Sequence, residues 1–227
     1  MKNNINLFIC GGLLLAAALC TAVYQFWDEG RASDSVKTAV RQIEEQIMTP
    51  EPVFPEEEKE LINFISYNTV PCEEEMPVLE LDGNQYIGTL ELASMGITLP
   101  VMSEWSYPKL KLSPCRFSGS IYQDDLIIAG HNYFSHFACL KDLDVGDEVF
   151  FTDAEGRVFS YVVSAQQLLD PMEAEALQAG DWDLTLFTCT IGGKYRVCVR
   201  CERASIPMPD ASGIITSLRM DGCSTTV

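Results

Sequence analysis

A cysteine closes one strand-like run of this chain and an arginine opens the next. Leu184-Thr185-Leu186-Phe187-Thr188-Cys189-Thr190 is rich in β-branched and aromatic residues, reaches Gly192-Gly193, and is followed at once by Tyr195-Arg196-Val197-Cys198-Val199. That is the pattern of a β-hairpin. With the two glycines as the residues of a primed turn, Ile191 opposes Lys194, Thr190 opposes Tyr195 and Cys189 opposes Arg196. Directly opposed residues share a sheet face, with Cβ atoms about 4.5–5.5 Å apart. A guanidinium beside a thiol favours the thiolate, which is the nucleophile. Arginine is seldom buried without a partner, so the pairing points to chemistry rather than to core packing.

A nucleophile needs a proton partner, and the chain has two histidines. His131 follows the apolar run Leu126-Ile127-Ile128-Ala129 and Gly130, the strand-end setting in which functional side chains often lie. His136 reads as an exposed or helix-start histidine. Asn132 could orient the imidazole or simply begin a turn. Thr188, on the opposite strand face from Cys189, needs no function as an ordinary strand residue. A lone cysteine is usually a small hydrophobe, and most of the nine are read that way. Cys198 and Cys201 resemble a metal knuckle in spacing, but positions three apart on a strand point to opposite faces and cannot share an ion. No other spacing suits a metal, and no cofactor is expected.

Leu126–Asn132, His136–Phe151, Leu184–Thr190 and the downstream Arg196 together resemble the sortases, membrane-bound cysteine transpeptidases of Gram-positive surfaces. Thr185 to Cys189 meets the family's Thr-Leu-X-Thr-Cys signature in full, His131 matches its histidine, Arg196 matches its arginine, and the resemblance suggests that Thr188 helps bind substrate. Tyr86–Leu92 and Leu99-Pro100-Val101 are similar to its opening strands. The resemblance covers roughly residues 79–204. It implies a closed eight-stranded β-barrel with a crossover bordering the substrate groove. It also implies cleavage of an LPXTG-like sorting signal through a thioester and transfer to an amine of a cell-wall precursor or a pilin lysine. A membrane-anchored cysteine endopeptidase that hydrolyses the thioester, and a non-catalytic β-barrel module, are the alternatives. The short Cys189–Arg196 connection leaves the sorting motif and subclass open. No second transmembrane run follows residue 204 and no Asp-Pro-aromatic lid motif precedes the domain, so a single-anchor enzyme without a lid is expected.

Several elements must position these groups. Residues 79–204 alternate short strand-like runs with turns, beginning at Leu79–Leu81, Tyr86–Leu92 and Thr98–Met102 and continuing through Arg116–Ser120, Leu126–Ala129, Glu148–Thr152 and Val158–Val163. This is the texture of an all-β barrel. One short helix is expected after the histidine, over Phe137–Leu143, and one in the crossover between Gln166 and Gly180.

Ahead of this domain, residues 1–27 carry no charge between Asn3 and Trp27, long enough for a membrane helix. Lys2 precedes the run while Asp28 and Glu29 follow it. The expectation is therefore a single-pass anchor in the cell membrane with the catalytic domain outside. A cleavable signal peptide is the rival reading. Residues 28–78 read as an acidic extracellular stalk, with an amphipathic helix carrying Val36, Val40, Ile43 and Ile47 and a short second helix over Glu57–Ser66. Residues 205–227 form a tail. The net charge of −18 argues against nucleic acid as a partner.

Overall fold

The computed structural model describes residues 2–47, 75–171 and 174–204. The helix expected over Glu57–Ser66, the tail 205–227, Cys72 and Cys223 lie outside them.

Strand β2 (Asn84–Leu92) is what closes the sheet, because it pairs with strands on both of its edges. On one side it runs antiparallel to β3 (Ile97–Met102), with Leu90 opposite Leu99. On the other it runs antiparallel to β6 (Glu148–Asp153), with Leu90 opposite Phe151. The short β1 (Leu79–Leu81) pairs only with the start of β2. A register shift between Tyr86 and Gly88 bends β2 at the point where it turns toward β6, as bulges do. Gly88 is required there. Its φ is 147°, and a Cβ would lie 2.0 Å from the Thr152 carbonyl oxygen.

From β3 the ring continues through β4 (Cys115–Ser118), β5 (Leu126–Ala129), β8 (Leu184–Cys189), β9 (Arg196–Arg203) and β7 (Val158–Leu169) back to β6. The result is the expected closed eight-stranded barrel. Its interior holds Leu90, Leu99, Ile128, Phe151, Leu186 and Val199, all fully buried. Closure leaves the ring no open edge for another chain to extend.

The C-terminal ends of β4 and β7 differ most from expectation. β4 stops at Ser118, because Gly119 turns the chain with φ 77°. β7 runs on to Leu169 rather than ending at Val163, since a bulge after Val163 lets it stay paired with β9 as far as Arg196. The crossover from β7 to β8 is correspondingly short and carries one helix, which with the small α2 (Tyr107–Leu110) is numbered α3 (Ala174–Gln178). After the histidine there is a 3-10 turn over Ala138–Asp142.

One continuous helix, α1 (Lys2–Ile47), includes both the apolar run and the amphipathic segment that follows. Asp28, Ala32, Val36, Ala39 and Ile43 are buried, at spacings of three and four that form one stripe. Val36 joins the main core, while Ala39 and Ile43 pack with Leu81, Tyr86, Met102 and Cys115. Alanines in the stripe let the helix lie close to the strands. Upstream of Asp28 the helix carries Leu13, Leu14, Leu15, Leu19 and Val23 exposed.

Candidate active site

Antiparallel pairing sets Cys189 directly opposite Arg196, continuing from Thr188 opposite Val197 and Phe187 opposite Cys198. The expected register holds although the turn differs. Gly193 N donates to the Thr190 carbonyl, closing a turn over 190–193, and Thr190 N donates to the Tyr195 carbonyl, each at 2.8 Å. Tyr195 N in turn donates to Thr190 Oγ1 at 3.0 Å. Gly192 and Gly193 have φ of 82° and 70°, a region that side chains other than Gly rarely adopt. Cys189 is exposed.

Arg196 is half-buried, with its Cζ 5.7 Å from the centre of the Phe187 ring. Among the described residues it forms no ion pair.

Four residues further along the same face, Arg200 is in the opposite condition. It is fully buried. Its Nη1 donates to the Leu177 carbonyl at 2.7 Å and to Thr185 Oγ1 at 2.9 Å, and its Nη2 donates to the Ala176 carbonyl at 2.5 Å. Those carbonyls belong to the last turn of α3, where a cation is favoured. Arg200 thus ties the crossover helix to the barrel, and Arg196 is the arginine left available.

The histidine arrives by a different route. β5 lies parallel to β8, with Ala129 opposite Phe187, and Gly130 N donates to the Phe187 carbonyl at 3.0 Å. Carried two residues further, that register sets His131 level with Cys189. The imidazole stacks on Tyr133 at 4.5 Å with an interplanar angle of 9°. Burial lowers the His131 pKa, and Lys111 adds to the shift while Asp28 and Glu29 oppose it.

Helix α1 holds this loop, a contact that sequence patterns did not reveal. Tyr133 Oη donates to Asp28 Oδ2 at 2.5 Å. Ser135 donates to Glu29 Oε1 through both N and Oγ, at 2.9 and 3.0 Å. The tyrosine that stacks on His131 is therefore clamped by a carboxylate 105 residues away. That hydrogen bond is the main reason the Asp28 pKa is lowered, ahead of its Arg31 neighbour.

A cavity of about 950 Å³ lies between α1 and the barrel, lined in part by Phe26, Asp28, Asn132, Thr188, Cys189 and Ile191. The site is thus walled on its N-terminal side by α1 itself, where no covering element was expected. Asn132 and Thr188 both reach this cavity, and the buried Thr188 Oγ1 has no hydrogen-bond partner.

His136 departs from its expected exposure. It is fully buried, with its ring 5.3 Å from Tyr133, because the turn from Tyr133 folds it inward. Burial, reinforced by His131 and opposed by a backbone hydrogen bond at Leu112, drops its pKa to about 4. Cys198 and Cys201 are buried in separate clusters outside and inside the barrel, on opposite faces as expected. Burial raises their thiols to about 11 and 12. Among the described residues no cluster of His, Cys, Asp and Glu could hold a metal.

A family model of the sortase domain matches residues 90–204, half of the chain. The chain belongs to the sortase family. No curated protein matches it in sequence. Among solved structures, sortase C1 from Streptococcus agalactiae superposes with a TM-score of 0.53 at 20% identity, covering 74% of this chain and 99% of that one. Sortase C of Streptococcus pneumoniae gives 0.54 at 19% identity, over 74% and 97%. Clostridium perfringens sortase C with the C-terminal cell wall sorting motif gives 0.52 at 22% identity, over 74% and 99%. At these identities the sortase barrel is what the chains share.

Proposed function

We propose that this sortase-family chain is a cysteine transpeptidase in which Cys189 is the nucleophile, Arg196 the oxyanion donor and His131 the proton carrier. The observation that supports this most directly is the Cys189–Arg196 cross-strand pair, with Cys189 at the cavity and the β5–β8 register carrying His131 level with it. In the first half-reaction the thiolate attacks a peptide carbonyl. The Arg196 guanidinium, which stays protonated at any working pH, stabilises the tetrahedral oxyanion. Collapse breaks the C–N bond, the amine departs with a proton from His131, and a thioester remains on Cys189. In the second, an acceptor amine attacks the thioester and gives its proton back to His131, and the new amide leaves as the thiolate is released.

The substrate in this reading is a C-terminal LPXTG-like sorting signal, and the acceptor a cell-wall or pilin amine. Thr188 and Asn132 contact the substrate. Residues 28–78 link the anchor to the catalytic domain of residues 79–204. The apolar part of α1, of mean hydropathy 1.5 over its membrane-length window, anchors the protein by a single pass with the barrel outside the cell membrane.

The test is incubation of the full chain with a panel of quenched sorting-signal peptides, with and without an amine acceptor, followed by mass spectrometry. An amide joined to the acceptor supports the proposal. Hydrolysed product alone, at saturating amine, makes the chain an endopeptidase.

A further inference from the structure

We propose that the site end of the barrel rests on the membrane surface, with Phe134 and Ile191 inserted into its apolar interface. This builds on the reading of α1 as a membrane anchor. The helix is continuous from Lys2 to Ile47 and contains no proline, so the bare apolar half and the docked half form one rod. Two contacts fix how the barrel lies along that rod. Asp28 and Glu29 grip the loop carrying Tyr133 and Ser135. Ile47 reaches the β6–β7 turn, where a Cβ on Gly156 would come within 2.9 Å of it. Nineteen residues separate Asp28 from Ile47, a rise of about 28 Å. The loop after His131 therefore faces the apolar segment, and the β6–β7 turn points away from it.

The surface at that near end fits a lipid interface. Tyr24, Phe26 and Trp27 close the apolar run and are exposed, as interfacial aromatics are. Ile191 at the hairpin tip is 93% exposed and Phe134 is 86% exposed. Single exposed apolar residues need no explanation. These two, however, border the same cavity as Ala22, Tyr24 and Phe26 of the helix, one beside Cys189 and the other beside His131. The span's end and the two loop tips thus form one apolar rim. Its partner is the interface of a bilayer, reached by continuity with the helix that crosses it. The contact is apolar, so neutral phospholipid suffices.

The test places the full chain in phosphatidylcholine vesicles that contain lipids brominated along the acyl chains, which quench nearby tryptophan. Phe134→Trp and Ile191→Trp add reporters at exposed positions where no packing is lost. Val158→Trp adds one opposite Thr152, beside the far turn. The native Trp27 signal is obtained by difference from Trp27→Phe. The expected result is that emission added at 134 and 191 is lost about as fully as that of Trp27, while emission added at 158 persists. Chains that withstand an alkaline wash but leave both near reporters unquenched overturn the proposed orientation and leave the anchor intact. Chains removed by the wash overturn the anchor and the orientation together.

Discussion

Arg196 stands opposite Cys189 on adjacent antiparallel strands, its guanidinium over the Phe187 ring and not in any ion pair among the described residues. Phe187 precedes Cys189 by two residues and so lies on the same face. The ring supports the cation from beneath without neutralising it. If this charge serves an oxyanion, Arg196→Lys should lower kcat by about 10²–10³, because lysine lacks the planar fork. Peptide affinity should change far less, since the oxyanion exists only along the reaction path. Steady-state kinetics beside a melting curve measure this. Near wild-type turnover in the lysine variant would show that any positive charge suffices.

The cysteines should separate by environment. Cys189 is exposed and Cys198 fully buried. Cys189→Ala should abolish thioester formation with an unchanged melting temperature. Cys198→Ala should retain turnover while losing on the order of 1 kcal/mol of stability. Loss of turnover in both folded variants would mean the nucleophile is misassigned.

His131 should titrate below the usual 6.5, and its neighbours should move it in opposite directions. Removing a nearby cation by Lys111→Met should raise its pKa, while removing an anion by Asp28→Asn should lower it. Imidazole NMR in a Cys189→Ala background reads both shifts. A common direction for the two variants would contradict the electrostatic account.

His136 gives stability a separate pH dependence. Its pKa is about 4 in the folded chain and ordinary when unfolded, so between the two values the unfolded state binds more protons. The contribution is complete above 6.5 and is lost as pH falls through about 4. The loss amounts to roughly 3 kcal/mol. His136→Phe removes the titrating group, so it should flatten the melting-temperature profile between pH 6.5 and 4. A profile as steep as wild type would assign the acid limb to carboxylates instead.

Much of the site was legible because it is local. The Cys189–Arg196 pairing follows from two strand-like runs and a Gly-Gly turn, and strand alternation carries it even though the turn closes over 190–193. The side-chain period of two likewise separates Cys198 from Cys201. The barrel's strands were visible as short runs, whereas closure was expected only through the family resemblance and not from the runs themselves. It depends on β2 bending at Gly88 to meet β6, a contact between segments some sixty residues apart. The two arginines on one face of β9 look alike in sequence. Only the arrival of α3 buries Arg200 and leaves Arg196 free. In the same way, nothing near His131 announces that Asp28 will clamp Tyr133. Periodicity identifies a helix and its apolar stripe, while the surface that covers the stripe is set by packing between distant segments. Local geometry thus determined which residues could react, and the tertiary structure decided what surrounds and holds them.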